Sequence, residues 1–166
     1  AVNSDIIFNV TTNFTVVITG ETGTGKELVV DNIHRLSHRA KGAFVPVDCG
    51  SITPTLMESE LFGHEKGSYT GAHQSQPGKM EMASGGTLFL DEISNLSLPL
   101  QAKFLRALEE RKIWRIGGTK PIDVDIRVIV AANRDLGTMV LAKQFRKDLY
   151  YRLNVVRIQV PPLRAR

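Results

Sequence analysis

The chain has 166 residues, enough for one compact domain with a buried core but not comfortably for two. At 42% hydrophobic and 23% charged it reads as globular; no apolar run nears the roughly 18–20 residues of a membrane span, and no basic-then-apolar leader opens it. The net charge of +4 is uneven, with 6 Lys/Arg and 11 Asp/Glu in residues 1–100 against 15 and 6 in 101–166, yet the cations stand singly, without aromatics between them, so they read as solvated faces with a few phosphate or subunit contacts rather than a nucleic-acid surface.

Short apolar runs alternate with helical patterns along the chain, which predicts an α/β domain with a mostly parallel sheet flanked by helices. The first strand spans 15–19 and runs directly into Gly20-Glu21-Thr22-Gly23-Thr24-Gly25-Lys26-Glu27, after which a helix is expected over 26–38. A second strand covers 44–47, with the lone Cys49 read as a small buried residue at its end and a sign of a reducing cytoplasm. Pro54 behind a capping Thr53 starts a helix over 54–62. Residues 63–78 are polar, glycine-rich and long for a connector, and loops of that length tend to be functional. A third strand covers 87–90, then a helix 98–110 with Ser97 as its cap and Pro99 in its first turn. Residues 113–125 hold two β-like pieces around Gly117-Gly118, a small hairpin. Strands over 127–131 and 155–160 enclose a short helix over 146–153. The chain stops at Pro161-Pro162-Leu163-Arg164, which reads as the start of a linker, so an excised piece of a longer protein is expected.

The segment Gly20 to Lys26 has the spacing and the strand–turn–helix context of a P-loop. Its glycines let successive N–H groups point at phosphate oxygens, and the helix N-terminus adds its positive dipole end. Lys26 would reach the β- and γ-phosphates. Glu27 stands where most P-loops carry a magnesium-binding hydroxyl; a carboxylate there could bind the ion directly or through water. Further on, the apolar strand over 87–90 ends in Asp91-Glu92. Magnesium is a hard cation that binds carboxylate oxygen and keeps its waters, which suits Asp91. Glu92 suits the base that orients or deprotonates an attacking water. Two acids after a strand often mark only a helix start, but a P-loop upstream decides for the functional reading. Asn133 ends a strand and is either a turn former or a group that polarises water or senses a γ-phosphate. Arg146 and Arg152, by themselves, read as surface salt bridges on a helix.

Four segments in this order resemble one family: GETGTGKE at 20–27, FGHEKGSYTGA at 62–72, GGTLFLDEI at 85–93 and FRKDLYYRLN at 145–154. They are similar to the central AAA+ domain of bacterial sigma-54-dependent activators, the NtrC-type enhancer-binding proteins. The resemblance covers nearly the whole chain, as one AAA+ nucleotide-binding subdomain without its helical lid. It implies a cytoplasmic ATPase that uses ATP and Mg²⁺, assembles into a hexameric ring and remodels sigma-54 RNA polymerase holoenzyme to activate transcription. It also implies that Asn133 is the first sensor and that Arg146 and Arg152 enter the neighbouring subunit's site. Glu27 is usual for such proteins. Residues 63–78 become the loop that touches sigma-54, with Gly67, Ser68, Tyr69, Thr70, Gly71 and Ala72 at its tip. DNA binding would belong to a C-terminal domain, and a receiver or sensory domain would likewise lie outside this sequence.

Three positions depart from the family pattern. Ser68-Tyr69 replaces Ala-Phe, which keeps the aromatic face and adds a hydroxyl. Asp48 replaces an Asn that holds the catalytic glutamate in an inactive pose, and an ionised Asp would repel Glu92 instead. Ala132 replaces a Thr before the sensor Asn. Two rival readings are a regulatory nucleotide-binding module with little turnover and a P-loop small-molecule kinase. Glu92, Arg146, Arg152 and the GSYTGA loop weigh against the first; the lack of a recognisable acceptor pocket or phosphate-clamping lid weighs against the second.

Overall fold

A computed structural model describes residues 13–162 except Thr22 and Thr24. Those two threonines of the phosphate loop, and Leu163 and Arg164 of the expected linker, lie outside the described residues. In chain order the elements are β1 (Val16–Thr19), α1 (Lys26–Arg35), β2 (Phe44–Asp48), α2 (Pro54–Phe62), β3 (Gly63–His64), β4 (Gln76–Pro77), α3 (Lys79–Met82) and β5 (Thr87–Asp91). A 3₁₀ turn (Ile93–Asn95) follows, then α4 (Leu98–Glu110), β6 (Lys112–Ile113), β7 (Ile122–Asp123), β8 (Arg127–Ala132), α5 (Leu136–Leu141), α6 (Lys147–Leu153) and β9 (Val156–Gln159).

Five strands form one parallel sheet in the order β2-β5-β8-β1-β9. Successive side chains of a strand alternate between its faces, and both faces are covered here, so the strands read as nearly continuous apolar runs. Val16, Ile18, Ile129, Ala131 and Ile158 meet Val29, Val30 and Ile33 of α1 on one face. Val17, Leu88, Leu90, Val128 and Val130 join Leu61, Phe62, Phe104, Leu149 and Leu153 on the other. β8 lies between β1 and β5, so residues following β8 stand between the phosphate loop and the acid pair.

Five expected strands and four expected helices appear within a few residues of their predicted bounds. The first helix ends at Arg35 rather than 38 because Ser37 Oγ donates to the His34 carbonyl (2.7 Å) and accepts from Arg39 N–H (3.1 Å), closing a turn instead. Ser97 caps α4 by accepting from Leu100 N–H at 3.4 Å, with Pro99 in the first turn. Thr53 holds the same position at α2, but its side chain makes no capping bond. Residues 113–125 do form a hairpin base, with Ile113 opposite Ile122 in antiparallel β6–β7. One cation departs from the solvated reading: Arg127, at the start of β8, is 1% exposed, and burial pushes its guanidinium down to about 10. Among the described residues no helix is long and apolar enough to cross a membrane.

Candidate functional site

Parallel strands bring their C-terminal ends to one edge of the sheet, where ligands of open α/β sheets bind. β1 delivers Gly20 there, β8 delivers Asn133, and β5 delivers Asp91 and Glu92. Gly23 (φ 81°) and Gly25 (φ 88°) adopt left-handed backbone that glycine takes without strain. Gly25 is also the N-cap of α1 and has no side chain with which to cap that end, whose amides suit an external anion. Lys26 is 8% exposed and donates from Nζ to the Gly20 carbonyl at 2.8 Å, closing the loop on itself. Glu27 lies exposed in the first helical turn. Asn133 lines a cleft of about 350 Å³ together with Thr19, Gly20 and Glu21.

Asp91 is half-buried, and that burial raises its carboxyl above the ordinary range; Lys26 pulls it back down, while Asp48 and Glu92 push it up again. Among the described residues no cluster of three or more His, Cys, Asp or Glu side chains could hold a metal alone. Asp91 nonetheless fits magnesium, which is usually held by one or two carboxylates with phosphate oxygens and water completing its shell. Asp91 also has a stability signature. A folded-state pKa above the unfolded value means that ionisation disfavours the fold, with no cost below the unfolded pKa and a growing cost as pH rises through the raised value. Asp91→Asn should therefore melt above the wild type at neutral pH in chelator, the difference shrinking toward about pH 4. Equal melting curves at both pH values would refute that expectation. Cys49 is buried beside these acids, and burial, then the charges of Asp48, Asp91 and Glu92, push its thiol up to about 12. It is a packed thiol and a poor nucleophile.

Glu92 is a non-glycine residue in left-handed backbone (φ 57°, ψ 50°), a conformation that surrounding structure must impose. Its Oε2 accepts from Asn95 Nδ2 at 3.1 Å. Sequence reasoning missed Asn95, since nothing in its spacing distinguishes it from any other turn Asn.

Arg146 and Arg152 are not brought to this edge group. Arg146 stands just before α6, makes no capping bond and forms a two-point contact with Asp148 (3.0 and 2.8 Å), so its surface salt bridge exists. Arg152 instead donates to the Leu108 carbonyl at 3.3 Å and borders a cleft with Thr15 and Asp125, by the strands' N-terminal ends. Both are exposed.

The loop over 63–78 leaves the body through a two-stranded neck, β3–β4. A Cβ at Gly63 would lie 2.5 Å from the Gln76 carbonyl and 2.6 Å from Gly78 N, so only glycine permits this approach. The tip is a compact turn in which Gly67 N–H donates to the Ala72 carbonyl (2.8 Å) and Ala72 N–H to the Tyr69 carbonyl (3.0 Å). Tyr69 is 41% exposed, its ring set edge-on to buried His64 at 5.1 Å, and Thr70 is exposed. His64 Nδ1 lies 2.8 Å from Ser59 Oγ on α2. The tip rests on the hairpin: Glu65 N–H donates to the Ile116 carbonyl (3.0 Å), Ser68 packs against Gly117, and Arg115 bridges Glu65 and Glu81.

A parallel sheet of this order with a glycine phosphate loop after β1 is the fold of a P-loop NTPase. A crystal structure of the P-loop NTPase domain of an Escherichia coli sigma-54 transport activator shares that fold, with a TM-score of 0.66 at 20% identity, covering 97% of this chain and 92% of that one. The family model described as the Sigma-54 interaction domain matches residues 2–159, and the chain belongs to that family. NtrX from Brucella abortus, crystallised in complex with ADP, superposes with a TM-score of 0.92 at 42% identity, covering 99% of this chain and 36% of NtrX. The sigma54-dependent transcriptional activator SfnR from Pseudomonas putida is 56% identical over 151 residues, 91% of this chain and 41% of SfnR. The chain thus spans less than half the length of these two relatives.

Proposed function

We propose that this chain is the ATP-hydrolysing core of a sigma-54-dependent transcriptional activator, and that it works as one subunit of a ring. The observation that carries the reading is the convergence of Lys26, Asp91, Glu92 and Asn133 from the ends of two parallel strands and the helix after β1 onto one edge of the sheet. The NtrX complex with ADP supports a nucleotide as ligand. In this reading the backbone from Gly20 to Gly25, with Thr22 and Thr24, cradles the phosphates, and Lys26 exchanges the Gly20 carbonyl for a phosphate oxygen. Asp91 would hold Mg²⁺, with Glu27 as a further ligand directly or through water; the ion supplies charge neutralisation on the phosphates when bound. Glu92 orients and deprotonates the attacking water, and Asn133 senses the γ-phosphate.

Arg146 and Arg152 act on a neighbouring chain's nucleotide. Their positions support this: one is engaged with Asp148 and the other lies toward the opposite end of the strands, so neither serves its own site. The tip from Gly67 to Ala72 touches sigma-54, and ATP turnover in the ring remodels the polymerase holoenzyme. DNA is reached through another part of the longer protein.

The test is phosphate release from ATP by the full-length protein across a concentration series. Turnover per subunit should rise steeply as subunits assemble, because each site needs a neighbour's arginines. Tight ATP binding without turnover in the assembled state would favour the regulatory module instead.

A further inference from the structure

Glu92 is restrained on the wrong side of its own strand. In the order β2-β5-β8-β1-β9, the phosphate loop follows β1, which lies beyond β8 on one side of β5; β2 lies on the other. Gly50 follows β2, and a Cβ built there would collide with Glu92 Oε2 and come within 3.2 Å of its Cδ. The carboxylate therefore rests against the β2 side, away from the phosphate loop. The same Oε2 accepts from Asn95 Nδ2 at 3.1 Å. Residues three apart eclipse in a 3₁₀ turn, and the left-handed Glu92 at the head of this turn brings the two side chains together. Asp48 does not share the task. It directs Oδ1 to the Gly50 N–H (3.0 Å), and an ionised carboxylate has no proton to donate to another.

We propose that Asn95 is the positioning residue that restrains Glu92 in a resting pose, with Gly50 supplying the space, and that turnover requires this bond to break. The inference rests on the hydrolytic reading of Glu92 given above. A neutral amide leaves the charge of Glu92 unchanged and controls only its direction. The pair lies near solvent, so the restraint is modest and reversible.

The test uses two chemically unrelated variants of the full-length protein. Asn95→Ala removes the donor. Gly50→Ala keeps the amide but fills the space, striking Glu92 Oε2 and crowding Asn95 Nδ2 at 3.1 Å; Gly50 has ordinary backbone and both atoms are tips of flexible side chains, so folding is preserved. Each should raise kcat for ATP about three- to tenfold with KM unmoved, as expected when a weak restraint on a pre-existing population is lifted. Asn95→Asp, which cannot donate when ionised, should also raise kcat. Adding Glu92→Gln to Asn95→Ala should abolish the gain. A merely structural role for Asn95 predicts lower kcat or a lower melting temperature, and no agreement between the two sites. Wild-type turnover together with an unchanged or reduced kcat in either variant, or a gain that survives Glu92→Gln, overturns this inference alone. No turnover by the assembled wild type overturns the hydrolytic reading, and the inference with it.

Discussion

Glu92→Gln in the full-length protein should bind ATP with wild-type affinity and lose most of its hydrolysis. The amide nearly matches the carboxylate in size but cannot take a proton from water. Removing a general base typically costs about 10²–10⁴-fold in rate. The substitution leaves the phosphate loop, Lys26 and Asp91 in place, so binding is spared. Nucleotide titration and single-turnover hydrolysis on one preparation separate the two effects. Turnover within a few-fold of wild type would remove Glu92 from the base role and return the acid pair to a strand end.

Thr70→Ala is expected to have the opposite profile. Thr70 is exposed at the tip of the loop, beyond the β3–β4 neck and outside both phosphate motifs. Exposed substitutions of this kind usually shift stability by less than about 0.5 kcal/mol, so ATP turnover should stay within about twofold. Open-complex formation at a sigma-54 promoter should fall to background. The neighbouring Tyr69 presents an aromatic face, the sort of anchor that dominates interfaces, and a change beside it is felt in binding. Unimpaired transcription from the variant would eliminate the tip as a contact surface. A parallel loss of ATP turnover would show instead that the loop supports the catalytic edge.

Much of the candidate site's layout was legible because its signals are local. The phosphate loop is a run of fixed spacing between a strand and a helix, and Asp91-Glu92 closes a run of buried apolar residues. Helix α4 declares both its start and its apolar stripe. What the sequence does not expose is either short or non-local. α3 and the 3₁₀ turn are below the length at which periodicity can be seen, and β3 pairs with β4 across the whole loop. The order of the strands depends on packing between distant residues. Arg127 looks like any scattered cation until β8 is found at the centre of the sheet with both faces covered. The restraint on Glu92 needs a left-handed backbone at a non-glycine residue, which no propensity announces. Thr53 shows the converse: a residue with the right identity and position makes no cap, because composition alone does not aim its hydroxyl.

The pinched neck at Gly63 and Gly78 bears on how such a domain could diversify. The loop enters and leaves the body at nearly one point, and the sheet draws no strand from it. A segment whose ends already meet adds little closure cost to the fold when it lengthens, shortens or disappears. An ancestral nucleotide-hydrolysing domain could thus acquire a new partner there without rebuilding its strands. The two glycines would be the requirement of that graft. The tip between them could change its outward residues, Tyr69 and Thr70, while Glu65 and Ser68 keep their contacts with the hairpin.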